Sequence, residues 1–168
     1  MSYSARILSA RAQSESEIRR KLHQRAARPE DVEEVVRRLK QNSFLNDEKF
    51  AESFAAWRRD TAGHGKSRVL RDLLARRIDT KVATEAADAA FSGTDESVLI
   101  EQYLRRKFRA HNLSELLREE KKLASAFRRL RTAGFSAGGA IKVLKGYSAK
   151  AEQFASVDEY VDDEETSD

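Results

Sequence analysis

Apolar residues return at three- and four-residue intervals along most of this chain, and no stretch sustains an alternation of apolar and polar residues. The first period is that of a helix face; the second would be needed for a half-buried strand. Val32, Val35, Val36 and Leu39 follow the i, i+3, i+4, i+7 spacing of one buried face. Phe50, Phe54 and Trp57 repeat it beside Ala51 and Ala55, which assigns Trp57 to the core and not to base stacking. Val69 and Leu70 recur as Leu73 and Leu74; Val82, Ala86 and Ala90 form a small-residue stripe; Ile100, Leu104, Phe108 and Leu123, Phe127, Leu130 form two more. One proline and seven glycines in 168 residues leave little punctuation for a many-stranded sheet, so the fold class is all-α.

Local chemistry marks where these helices start and stop. Ser14-Glu-Ser-Glu17 is a capping box, and Pro29 suits a first helical turn, with Glu30 and Asp31 at its positive end. Asn46 can cap the helix that begins with Asp47 and Glu48, with Leu45 stapled to Phe50. Thr61-Ala-Gly-His-Gly65 and Ser92-Gly-Thr-Asp95 are breaks. Leu22, Leu73 and Leu130 are each followed five residues later by an apolar residue, Ala27, Ile78 or Phe135, and then by a new helix start. The helices therefore recur in threes, loosely and with insertions. The expected organisation is an elongated array of three tandem three-helix repeats, at 1–45, 46–92 and 93–156. Residues 157–168, polar and acidic, are expected to be a disordered tail.

The formal net charge of +4 conceals a split. Residues 157–168 hold seven of the 28 acids and none of the 32 lysines and arginines, so residues 1–156 carry a net +11. A basic body suits a polyanionic partner, for whose surface an acidic tail could compete, and it equally suits a charge-rich soluble protein. Without cysteine there is no disulfide framework and no thiolate metal site. No apolar run is long enough for a membrane span, and MSYSARILSARAQ lacks the apolar centre of a signal peptide. A cytoplasmic protein without a membrane partner is expected.

No catalytic constellation emerges. Gly63-His-Gly-Lys-Ser67 ends like a phosphate loop, but the first glycine of such a loop falls at Asp60 and no strand precedes it. The glycines read better as a helix break. His23, His64 and His111 lie in different repeats with no i, i+4 pairing, and Asp47 and Glu48 are explained by the helix dipole. No enzyme activity and no cofactor are expected. The informative residues are basic: Arg58 and Arg59 after Trp57, then Lys66, Arg68, Arg71, Arg76 and Arg77, and in the third repeat Arg128, Arg129 and Arg131, joined by Lys142 and Lys145. Arginine forks suit DNA phosphates and acidic protein grooves alike. Replacing Arg68, Arg71, Arg76 and Arg77 with alanine is expected to weaken binding while leaving the helices intact.

Ser43-Phe-Leu-Asn-Asp-Glu-Lys-Phe-Ala-Glu-Ser-Phe54 resembles the linker and first helix of the second repeat in RecX family regulators. Gly65 to Ile78 resembles the helix that follows, and Leu8 to Leu22 the family's opening signature. Asn42-Ser43 stands where glycine is common in the family; Asn tolerates the left-handed conformation such a turn needs. Gly138-Gly139 stands where larger residues usually pack. The resemblance implies tandem three-helix units that lodge along the RecA–DNA filament and dampen its ATP hydrolysis and strand exchange, without chemistry of their own. It implies RecA filaments as partner, with single-stranded and also double-stranded DNA, and a monomer. The basic residues named above would be its filament- and DNA-binding set. A stand-alone basic helical module that binds nucleic acid is the alternative.

Overall fold

Ser14 opens the first helix as its spacing predicts. Its hydroxyl accepts from the Glu17 N–H at 3.2 Å, and the Glu17 carboxylate accepts from the Ser14 N–H at 3.2 Å. The computed structural model describes residues 13–26 and 28–155; Ala27 and the acidic segment 157–168 lie outside them. Within the described residues run α1 (Glu15–His23), α2 (Pro29–Gln41), α3 (Asp47–Trp57), a π turn (Arg58–Ala62), α4 (Lys66–Leu74) and α5 (Thr80–Phe91). Then follow α6 (Glu96–Lys107), α7 (Leu113–Leu116), α8 (Glu120–Ala133), α9 (Ala137–Lys145) and a 3-10 turn (Ala149–Phe154). The described residues contain no strand, and the fold is all-α.

Short polar caps start most of these helices. Pro29 opens α2. The Lys49 N–H donates to Asn46 Oδ1 at 2.9 Å, that of Lys81 to Asp79 Oδ1 at 2.9 Å, and that of Gly139 to Ser136 Oγ at 2.9 Å. Each cap satisfies an amide that has no carbonyl one turn earlier. Helix ends explain the five-residue recurrence. The Ile78 N–H donates to the Leu73 carbonyl at 3.3 Å and the Phe135 N–H to that of Leu130 at 3.1 Å. Between each pair lies one left-handed residue, Arg77 (φ 58°) or Gly134 (φ 92°). This is the six-to-one closure of a helix C-terminus, in which the residue beyond the turn packs back on the last turn. All four apolar partners are buried. At the end of α2 the left-handed residue is Ser43 (φ 57°), whereas Asn42 keeps φ −90°.

The described residues form two compact units, with boundaries after Trp57, within α4 after Val69, and after Ser92. The first comprises 13–26, 28–57 and 70–92. Here α1 packs on α2 through Ile18, Val32, Val36 and Leu45, and α3 packs on α5. The α3 face is Phe50, Ala51, Phe54 and Ala55; the α5 face is Ala83, Ala86 and Ala87, whose small side chains allow a close approach. The second unit comprises 58–69 and 93–155. Its core joins α6, α8, α9 and the 3-10 turn, with Tyr103 edge-on to Phe135 at 5.6 Å and Phe127 stacked on Phe154 at 4.8 Å.

Trp57 departs from expectation. Phe50 and Phe54 are buried, but Trp57 is 49% exposed and touches Phe54 at a tilt, with ring centroids 6.4 Å apart. It is the last residue of α3, and the helix widens into the π turn immediately after it, so the regular stripe ends there. Trp57→Ala should therefore cost about 2 kcal/mol, against about 3–5 for a fully buried aromatic. Urea denaturation measures the difference, and a loss above about 4 kcal/mol would return Trp57 to the core.

Candidate nucleic-acid interface

The Gly63–Ser67 segment has a defined role in the second unit. The Gly65 N–H donates to the Ala133 carbonyl at 2.8 Å, and the Ser67 N–H donates to that of Gly134 at 3.2 Å. The free amides at the start of α4 thus meet the free carbonyls at the end of α8, and each end satisfies the other. The contact leaves no room for a side chain. A Cβ on Gly65 would overlap the Gly134 carbonyl, and one on Gly134 would overlap the Arg68 backbone. Two amides that a phosphate loop would turn toward its ligand are committed to protein carbonyls. Arg106 holds the preceding turn, donating from Nη1 to the Thr61 carbonyl at 3.0 Å and from Nη2 to that of Ala62.

Part of the basic set lies on the two helices whose ends meet here. Lys66 is exposed, and Arg68 sits half-buried against Gly134. Arg128 and Arg129 are exposed on the last two turns of α8, Arg129 with its guanidinium 5.8 Å from the centre of the Phe108 ring. Arg131 turns inward and donates from Nη1 to the Phe135 carbonyl at 2.9 Å, closing the end of its own helix. Arg58 and Arg59 lie on the π turn, and Arg59 forms a two-pronged pair with Asp60 at 2.6 and 3.1 Å.

The first unit holds the other three predicted arginines in different settings. Arg71 is exposed. Arg76 pairs with Glu17, lies 4.8 Å above the centre of the Phe54 ring, and accepts at its carbonyl from the buried Ser14 hydroxyl at 3.1 Å. Arg77, the next residue, is exposed and borders a groove with Ser16, Arg19, Arg20, His23 and Gln24. Sequence spacing did not single out Arg19, Arg20 or Arg106, because each acquires its setting from residues more than ten positions away.

The remaining titratable groups have structural settings. Asp47 accepts from the Glu15 N–H at 2.7 Å, capping the start of α1 from the first turn of α3, and burial raises its carboxyl above the ordinary value. Burial, together with donation to Glu101 Oε2 at 2.7 Å, pushes the Tyr147 hydroxyl up to about 12, so it stays protonated at neutral pH. Among the described residues no group of three or more histidine, aspartate or glutamate side chains is placed to hold a metal ion. None of the described helices is long and apolar enough to cross a membrane.

Comparison with known proteins places this architecture. Family models match two consecutive stretches, the RecX first three-helix domain over residues 1–39 and the RecX second three-helix domain over 46–86. The regulatory protein RecX of Pseudomonas tolaasii is 30% identical over 143 residues, 83% of this chain and 86% of that protein. That of Bacillus subtilis is 29% identical over 119 residues, and the match covers 71% of this chain but only 41% of the relative. The crystal structure of RecX from Lactobacillus salivarius shares the fold, with a TM-score of 0.64 at 18% identity, over 87% of this chain and 92% of that one.

Proposed function

The chain belongs to the RecX family of regulatory proteins, and from that premise we propose that it binds the filament formed by RecA on DNA and lowers its ATP hydrolysis and strand exchange. What supports this reading is membership of the RecX family together with the net charge of +11 over residues 1–156, with Lys66, Arg128 and Arg129 exposed. A filament is a repeating polyanion coated with protein. Exposed arginine forks such as those of Arg128 and Arg129 can engage its phosphates or acidic protein surfaces. The units proposed to make that contact are the three repeats at 1–45, 46–92 and 93–156, acting in a cytoplasmic monomer.

The test is RecA ATP hydrolysis on single-stranded DNA, titrated with this protein. Hydrolysis is expected to fall before the protein reaches one copy per RecA, since a bound regulator obstructs more than one filament subunit. No change at saturating protein, with the cognate recombinase, sinks the proposal. Affinity for naked DNA equal to that for RecA-coated DNA would favour a stand-alone nucleic-acid-binding module.

A further inference from the structure

We infer that the groove between α1 and Arg77 is a binding site for the phosphodiester backbone of nucleic acid. This deepens the proposed function, on which it rests for its biological setting alone. The groove has a volume of about 480 Å³ and is lined by Ser16, Arg19, Arg20, His23, Gln24 and Arg77. No carboxylate lines it. Arg19 is held from behind by Glu33 at 2.9 and 3.1 Å and by Glu15 at 2.9 Å, so its charge is already answered. Arg20 and Arg77 are exposed and form no ion pair with any described residue. Two guanidinium forks with a hydroxyl and an amide beside them are the donor types that contact DNA phosphates.

Arg77 supplies the second, independent observation. It occupies the left-handed position that closes α4, the position that glycine fills as Gly134 at the end of α8. A residue with a Cβ is strained there, and glycine would relieve it. Basic residues in the last turn of α1 complement that helix's carbonyl end, which is sufficient reason for Arg20 and His23. It is no reason for Arg77, which reaches the same groove from 57 residues further along the chain. A strained arginine directed to a groove already bearing unpaired positive charge is arranged for an anion.

The test uses the full chain carrying Arg77→Gly, Arg20→Gln or both, with Arg118→Gln as an exposed control. Affinity for fluorescein-labelled single-stranded DNA is read by anisotropy from 50 to 300 mM salt. The double variant should lose roughly tenfold or more at low salt, and its log–log salt slope should flatten by about 1.4, from two contacts of about 0.7 each. Arg77→Gly alone should melt at the same temperature or higher, which separates loss of binding from loss of fold. Unchanged affinity and slope in the double variant overturn the inference. So does a loss confined to RecA-coated DNA, which would make the groove an acidic-protein site. If the wild type inhibits RecA while the groove variants keep their DNA affinity, this inference falls and the proposed function stands. If the groove variants lose DNA affinity while the wild type leaves RecA untouched, the reverse holds.

Discussion

Gly134→Ala is expected to destabilise the protein by about 3 kcal/mol, the sum of a left-handed backbone and an overpacked contact. Gly134 has φ 92° and lies where any Cβ would overlap the amide nitrogen and Cα of Arg68. Neither group can give way, because Arg68 is fixed by a helix whose first amides bond to Ala133 and Gly134. Gly93 provides the internal control. It also has a positive φ, 68°, but a Cβ there would meet nothing within 4 Å, so Gly93→Ala should cost only about 1 kcal/mol. Gly65→Ala lacks the left-handed penalty and meets the Gly134 carbonyl, placing it between the two. Gly138, on the open side of α9, should tolerate alanine and gain several tenths of a kcal/mol from helix propensity. Urea midpoints for the four variants measure this order. Equal losses for Gly134→Ala and Gly93→Ala would mean that the α4–α8 junction is not held as tightly as described.

Arg76→Ala is expected to cost about 3 kcal/mol, a far larger loss than an exposed charge produces. The Arg76 side chain is 25% exposed and that of its partner Glu17 is 17% exposed, so little water replaces the pair once broken. Its guanidinium also covers the Phe54 ring, worth about 1 kcal/mol. Glu17 itself closes the capping box of α1, so a carboxylate freed from Arg76 pulls on the same turn that Ser14 caps. A double-mutant cycle of Arg76→Ala with Glu17→Gln should return a coupling of about 1–2 kcal/mol. Additive losses would show that the pair contributes nothing beyond its separate side chains. Replacing Arg68, Arg71, Arg76 and Arg77 together therefore also damages the fold, and Arg71 and Arg77 are the positions to vary when binding alone is to be read.

The all-helical class, most helix starts and the five-residue recurrence at Leu73–Ile78 and Leu130–Phe135 were legible in the chain because each is local. A cap is a relation between a side chain and amides two or three residues away, and a buried face is a period. The same locality misled at Trp57, where the period runs on but the helix beneath it changes pitch, and at Asn42, where the neighbouring Ser43 takes the left-handed turn. Among the basic residues locality discriminates nothing. Arg76 and Arg77 are adjacent, yet one is tied to Glu17 and Phe54 and the other opens onto a groove with Arg20. The reason is geometric: consecutive residues at a helix end that reverses into αL point in different directions, and what each meets comes from distant segments. So sequence alone determined that this is a basic, helical chain with the marks of the RecX family. Tertiary structure decided which of its arginines hold the fold and which remain available to an anion.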